Sequence, residues 1–134
     1  MEAGDEAWTV EKTFRFEAAH VLPKHGGKCA RVHGHSYAMK IVCRGISDDL
    51  FDPIHEDGPE AGMLLDHARI TEVVQPIVEA HLDHWFLNES TGLENPTVEL
   101  LCRWLWDKIR PGLPALYLIH IRETCTAAYT YRRA

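Results

Sequence analysis

WTVEKTFRFEAAH, residues Trp8–His20, decides the fold of this chain. Trp8, Val10, Phe14, Phe16 and Ala18 share one parity, while Thr9, Glu11, Thr13, Arg15 and Glu17 share the other. Successive side chains of a strand point to opposite faces, so this is a long strand with one face in a core and one in water. His20 closes it with the parity of the apolar face. An imidazole on that face is costly unless something pairs with it.

Downstream, LPKHGGKCAR (22–31) is a loop punctuated by Pro23 and the Gly26-Gly27 pair. A second alternating segment begins at His33, with Tyr37, Met39, Ile41 and Cys43 on one side and Ser36, Lys40 and Arg44 on the other. His33 and His35 belong to the apolar set. A polar connection marked by Pro and Gly, SDDLFDPIHEDGPEAG (47–62), leads to a helical pattern of Ile70, Val73, Val74, Ile77, Val78 and His81. Asp66 is its candidate N-cap, and Pro76 should kink or split it. LDHWFLNESTGLE (82–94) reads as a mostly non-helical crossing. Asn95-Pro96 opens a second helix, with Asn95 as N-cap, Glu99 near the positive dipole end, and a stripe of Val98, Leu101 and Leu105 with Trp104 beside it. Leu116–Thr124 and Ala127–Arg132 are closing strands. The order ββααββ implies an α+β fold: a four-stranded antiparallel sheet with two helices on one face.

Bulk composition fits a single domain over 1–134, with 1–7 a flexible extension. The chain has 134 residues, 46% hydrophobic and 25% charged, enough for a real core. A net charge of −6 argues against broad nucleic-acid or anionic-membrane binding. No apolar run approaches the roughly 18 residues that span a bilayer, and the acidic start MEAGDEAW lacks the features of a signal peptide. The four cysteines (Cys29, Cys43, Cys102 and Cys125) are scattered, which fits reduced thiols in a cytoplasmic protein.

Nine histidines carry most of the functional signal. His33 and His35 project together by parity, and an antiparallel hairpin would bring His20 beside them. Three neutral imidazoles that leave a fourth position open form a catalytic zinc arrangement. H-x-H alone is weak evidence, and a polar pair at a sheet margin is the plain alternative. Cys29, in CARVHGH (29–35), is a rival fourth ligand that would close the site. Lys24, Lys28 and Arg31 around it favour a thiolate.

Six stretches, in order, resemble the 6-pyruvoyltetrahydropterin synthase family: FEAAHVLP, CARVHGH, LLDHARI, LDHWFLNE, GLENPTVELLCRWLWDKIRP and IRETCTAAYTYR. The three-residue gap between Cys29 and His33 is similar to the bacterial branch that forms 6-carboxytetrahydropterin for queuosine and other 7-deazapurines. The resemblance implies a tunnelling fold in which the strands of three subunits close a barrel and two trimers stack into a hexamer. It also implies zinc on His20, His33 and His35, with Cys29 as a base. Asp83 and His84 would form a proton relay that reaches Cys29 from a neighbouring subunit. Glu123 would anchor the amino-pyrimidine edge of the pterin and join the relay. Thr97, Glu99, Thr124 and Lys28 are further candidate substrate contacts, although capping explains Thr97 and Glu99 nearly as well, and a solvated loop explains Lys28.

The residues fit that chemistry. His84 can move protons near neutral pH with Asp83 steadying its charge, although LDH can also be a simple helix-end turn. Glu123 has the strand-core parity of Tyr117, Ile119 and Ile121, so its carboxylate needs a partner: a guanidine-like edge or a salt bridge to Arg122. The implied activity is a zinc lyase that converts 7,8-dihydroneopterin triphosphate to 6-carboxytetrahydropterin, releasing acetaldehyde and triphosphate. Alternatives are the pyruvoyl-forming elimination of triphosphate and a non-catalytic zinc module closed by Cys29.

Overall fold

The alternation in the first strand is carried directly into burial. β1 spans Thr9–His20, and Phe14, Phe16, Ala18 and His20 are buried while Thr13, Arg15 and Glu17 are exposed. The computed structural model describes residues 7–45 and 54–134. Residues 1–6 of the acidic start and 46–53 of the polar connection lie outside the described residues. β2 (His33–Arg44) pairs with β1 antiparallel along its whole length, from Thr9↔Arg44 to His20↔His33. That register is the hairpin expected from parity, and it sets the histidines side by side.

β4 (Leu116–Arg122) pairs with the free side of β2, and β5 (Ala128–Tyr131) pairs with β4, both antiparallel. The sheet is not four-stranded. Trp85–Phe86 forms a short β3 that pairs parallel to β1 through Ala18↔Trp85 and Ala19↔Phe86, giving a mixed five-stranded sheet in the order β3-β1-β2-β4-β5. The cause is local: the His84 N–H donates to the Glu17 carbonyl at 2.6 Å and the Glu17 N–H donates to Asp83 Oδ1 at 2.9 Å. These bonds fasten the crossing segment to the edge of β1. Two residues are too few for a period-2 pattern, so the sequence carries no readable sign of this strand.

The helices pack on the apolar face. α1 (His67–Ile77) is capped by Asp66, whose carboxylate accepts from the Ala68 N–H at 2.9 Å. Pro76 does not end it; the helix runs one residue further and then widens into a π-helical turn over Val78–Leu82. The crossing that follows contains β3 and a single-turn α2 (Leu87–Ser90). α3 (Val98–Ile109) is capped by Thr97, not Asn95: Thr97 Oγ1 accepts from the Leu100 N–H at 3.2 Å. Pro96 therefore lies before the cap, and Asn95 Oδ1 is buried without a hydrogen-bond partner among the described residues. Val98, Leu101, Cys102, Leu105, Trp106 and Ile109 of α3 share one core with Ile70, Val74, Phe16, Met39, Ile41 and Ile119.

One strand departs from its expected parity. Val42 pairs with Leu118 and Cys43 with Leu116, which leaves Tyr117 as the extra residue of a β-bulge. Leu116 takes the buried position, and Tyr117 leaves the core series of Ile119 and Ile121. All four cysteines are free thiols.

The cap assignment has a measurable consequence. Thr97→Ala should lower stability by about 0.5–2 kcal/mol, whereas Thr97→Ser, which retains the oxygen, should lose only a few tenths. Urea unfolding followed by circular dichroism reads both, and an Ala variant as stable as the parent would remove Thr97 from capping.

Candidate metal centre

His20 ends β1 and is completely buried, His33 opens β2 opposite it, and His35 follows two residues on. One ligand nitrogen from each lies within 4.8 Å of the others. A tetrahedral ion with bonds of ~2.0–2.1 Å needs donors roughly 3.3 Å apart, within that range. The hydrogen bonds sharpen the case. His20 Nδ1 meets the Pro96 carbonyl at 2.9 Å and His33 Nδ1 meets the Arg31 carbonyl at 2.7 Å. A carbonyl only accepts, so each Nδ1 carries the proton and each neutral ring presents a lone pair at Nε2. Those two Nε2 atoms face each other at 2.9 Å. Two lone pairs at that distance repel unless a proton or a cation lies between them, and imidazoles oriented through backbone carbonyls are the usual support of a metal ligand. The donor set therefore fits a metal ion.

Electrostatics favour the neutral, ligating form. Burial, first, pushes the His20 imidazole below its ordinary 6.5; the Pro96 carbonyl opposes this, and charge on His33 and His35 adds to it. Burial likewise lowers His35, with the Glu123 carboxylate working the other way. Below the rings, Tyr37 is 2% exposed and stacks on Phe16 with centroids 4.7 Å apart, an apolar floor whose phenol is held strongly protonated by burial. Glu123 Oε1 lies 3.3 Å from His35 Nε2 and 3.6 Å from His20 Nε2. Its carboxylate thus faces the histidines, while Arg122, the alternative partner, instead donates to the Cys125 carbonyl at 3.1 Å.

The other candidates divide into groups. Cys29 is half-buried in a 3-10 turn over Lys28–Ala30 and lies outside the three-histidine cluster, so the described geometry does not form a closed Cys-His-His-His site. Lys28, beside it, is exposed. Burial pushes the Cys43 and Cys102 thiols up to about 12, which makes them inert core residues. Thr97 and Glu99 line a cavity of about 630 Å³ with Tyr129 and Tyr131 of β5. The Tyr129 phenol is raised by desolvation and then by Glu99 and Glu123, so the two carboxylates share one neighbourhood. Thr124 Oγ1 accepts from the Thr126 and Ala127 N–H groups and so shapes the β4–β5 turn.

Asp83 and His84 sit elsewhere in the chain. His84 Nδ1 is 3.1 Å from Asp83 Oδ2, and the Glu17 N–H, first, and then His84 hold the Asp83 carboxyl below its ordinary value. The His84 side chain is 79% exposed and lines a groove of about 460 Å³ along β1 and β2 with Glu17, Ser36 and His35. His84 has φ 64°, the one non-glycine residue with positive φ among the described residues. Such backbone strain costs ~1–3 kcal/mol and gathers at functional sites. Residue patterns gave no sign of that backbone, nor of the Pro96 and Arg31 carbonyls that orient the rings. The Asn-Pro pair was the available signal for Pro96, because proline offers a carbonyl and no N–H.

Comparison with known proteins identifies the family and the fold. The chain is 41% identical over 125 residues to a 6-carboxy-5,6,7,8-tetrahydropterin synthase of Synechocystis, covering 92% of each chain. It is 27% identical to a protein of the same name from Bacillus subtilis, covering 94% of this chain and 86% of that one. The fold matches a 6-pyruvoyl tetrahydropterin synthase from Caenorhabditis elegans with TM-score 0.77 at 24% identity, over 96% of this chain and 97% of the other. The family model described as 6-pyruvoyl tetrahydropterin synthase matches residues 9–134, and the chain belongs to that family.

Proposed function

We propose that this protein is a zinc-dependent lyase that converts 7,8-dihydroneopterin triphosphate and one water to 6-carboxytetrahydropterin, with release of acetaldehyde and triphosphate, on the route to queuosine and related 7-deazapurines. The single observation that carries the reading is the tautomer-fixed pair of His20 and His33 with His35 beside them, three ligands and an open side. Imidazole-rich sites suit zinc, and three protein ligands with one free position are the catalytic form. Relatives that match over most of this chain carry the corresponding name.

Zinc bound there supplies Lewis acidity toward the side-chain hydroxyls of the substrate. The rest is assigned to this chain's residues. Cys29, as thiolate, removes a proton from the polarised side-chain carbon. Glu123 takes the amino-pyrimidine edge of the pterin through its two oxygens. Glu99, Thr97 and Thr124 are assigned as further substrate contacts, and Lys28 as the contact to the triphosphate. Tyr37 and Phe16 exclude water beneath the histidines.

Asp83 and His84 complete the relay from another copy. In one chain, His84 opens onto the groove along β1 and β2, and Cys29 does not line it. β3 and β5 leave two strand edges, and edges on a small domain are usually paired or covered. A barrel of three copies, stacked as a hexamer, would pair them and bring His84 to a neighbouring Cys29. The enzyme would work as that assembly in the cytoplasm.

Purified protein should hold about one zinc per chain. His20→Ala, His33→Ala and His35→Ala should each strip most of it, since a three-ligand site has little redundancy. Because the fold lowers the His20 and His35 pKa values, the neutral ligands persist below pH 6.5, so zinc should be retained through pH 6.5 and lost only at lower pH as protons compete. Elemental analysis after dialysis across that range checks both points, and full occupancy in all three variants would sink the assignment.

Cys29→Ala should keep zinc and melting temperature while product formation falls by roughly 10²–10⁴-fold. His84→Gly, which tolerates the same φ, should show the same pattern and unfold no more easily. Mass analysis of products decides the reaction: acetaldehyde appears only if the side chain is cleaved, and its absence beside released triphosphate would favour the pyruvoyl-forming reaction. Zinc loss in Cys29→Ala would return that thiol to the ligand set.

A further inference from the structure

The arginines at the end of the sheet remote from the histidines have no part in the reaction above. Arg44 ends β2, Arg110 follows α3, and Arg132 and Arg133 follow β5; around Tyr117 they line a groove of about 480 Å³. The Tyr117 ring, displaced from the core series by the bulge, carries the Arg44 guanidinium 4.7 Å from its centroid and that of Arg132 at 5.2 Å. Arg132 also donates to the Tyr117 hydroxyl at 2.8 Å. Arg110 and Arg133 stand over the Trp106 ring at 6.0 and 5.8 Å. Arg133 is matched by Asp107 at 2.7 Å, but among the described residues Arg44, Arg110 and Arg132 have no carboxylate within 4.0 Å.

Aromatic faces orient guanidiniums without neutralising them, and they leave most of the N–H donors free. Like charges gathered in a concavity repel, and on a chain of net charge −6 they create a local field opposite to that of the whole molecule. That arrangement suits a ligand carrying several negative charges, and the planar fork of arginine matches phosphate oxygens two at a time. The volume is that of a small-molecule site. Arg44 lies opposite Thr9, while His33 lies opposite His20. The intervening eleven steps along β2 amount to roughly 36 Å at ~3.3 Å per residue, so this groove is not part of the metal centre.

We propose that the Arg44–Tyr117–Arg132 groove binds a small anion bearing two or more phosphate groups, at a site separate from the three histidines. The forks of Arg44 and Arg132 hold the phosphates, Tyr117 sets their spacing, and Arg110 adds charge at the rim.

Titration calorimetry of the assembled, metal-loaded protein with inorganic pyrophosphate tests this. Arg44→Gln/Arg132→Gln should weaken binding at least about tenfold and leave metal content and product formation unchanged, since each lost guanidinium removes charge-assisted hydrogen bonds. Arg44→Lys/Arg132→Lys, which keeps the charge but loses the fork, should weaken it less, and it serves if the glutamine variant does not fold. His33→Ala should bind pyrophosphate as the parent does. A nucleoside diphosphate separates sources of the phosphates: affinity equal to pyrophosphate assigns recognition to the phosphates alone, and tighter binding adds the base to the same groove. No binding to the parent, equal binding to the glutamine variant, or loss in His33→Ala would overturn the proposal.

Discussion

Two backbone oxygens, those of Pro96 and Arg31, determine what this molecule can do. Each accepts a hydrogen bond from the Nδ1–H of a histidine and so turns an Nε2 lone pair toward the same point. Neither ring can reverse this without breaking a hydrogen bond, in one case inside a buried site. The two carbonyls come from different parts of the chain, one from the loop before β2 and one from the approach to α3. The site is thus tied to the core through both a strand and a helix. Leu101 and Leu105 anchor α3 against the sheet, the start of α3 positions Pro96, and Pro96 orients His20. Packing is in this way linked to the direction of a lone pair.

Much of this was legible in the residues because one physical rule governs long strands. Twelve residues of β1 and twelve of β2 repeat the same alternation, and their register follows from it. The same parity placed His20, His33 and His35 together. The rule fails where elements are short or irregular. β3 has two residues and is held by two bonds at Glu17, whose carbonyl accepts from the His84 N–H and whose N–H donates to the Asp83 carboxylate, and composition encodes neither. The cap of α3 moved from Asn95 to Thr97 because a cap is whichever oxygen reaches a free N–H, a matter of ångströms between neighbouring polar residues. Tyr117 left its expected face because one inserted residue reverses parity beyond it.

The site was legible in its ligands and less so in its surroundings. Parity indicated that Glu123 would need a partner, and the histidines occupy that place in the chain. Nothing in the residue pattern pointed to them over a pterin edge or Arg122. Roles for Cys29, Asp83 and His84 came from the family likeness, since none has a periodic signature. The positive φ of His84 is invisible in sequence, because only a few per cent of non-glycine residues adopt it and nothing in the pattern singles out this one of nine histidines.

The bulge at Tyr117 also acts as a registration mark. A smooth pair of strands can slide by two residues and still keep every apolar side chain on the core face. Between β2 and β4 the extra residue forbids this, because a shifted β4 would carry the irregularity into paired backbone. The offset of β4 is therefore set at the end of the strand away from the histidines. Glu123, just beyond the other end, inherits that offset, and its distance from His35 is decided by a tyrosine six residues before it in the chain.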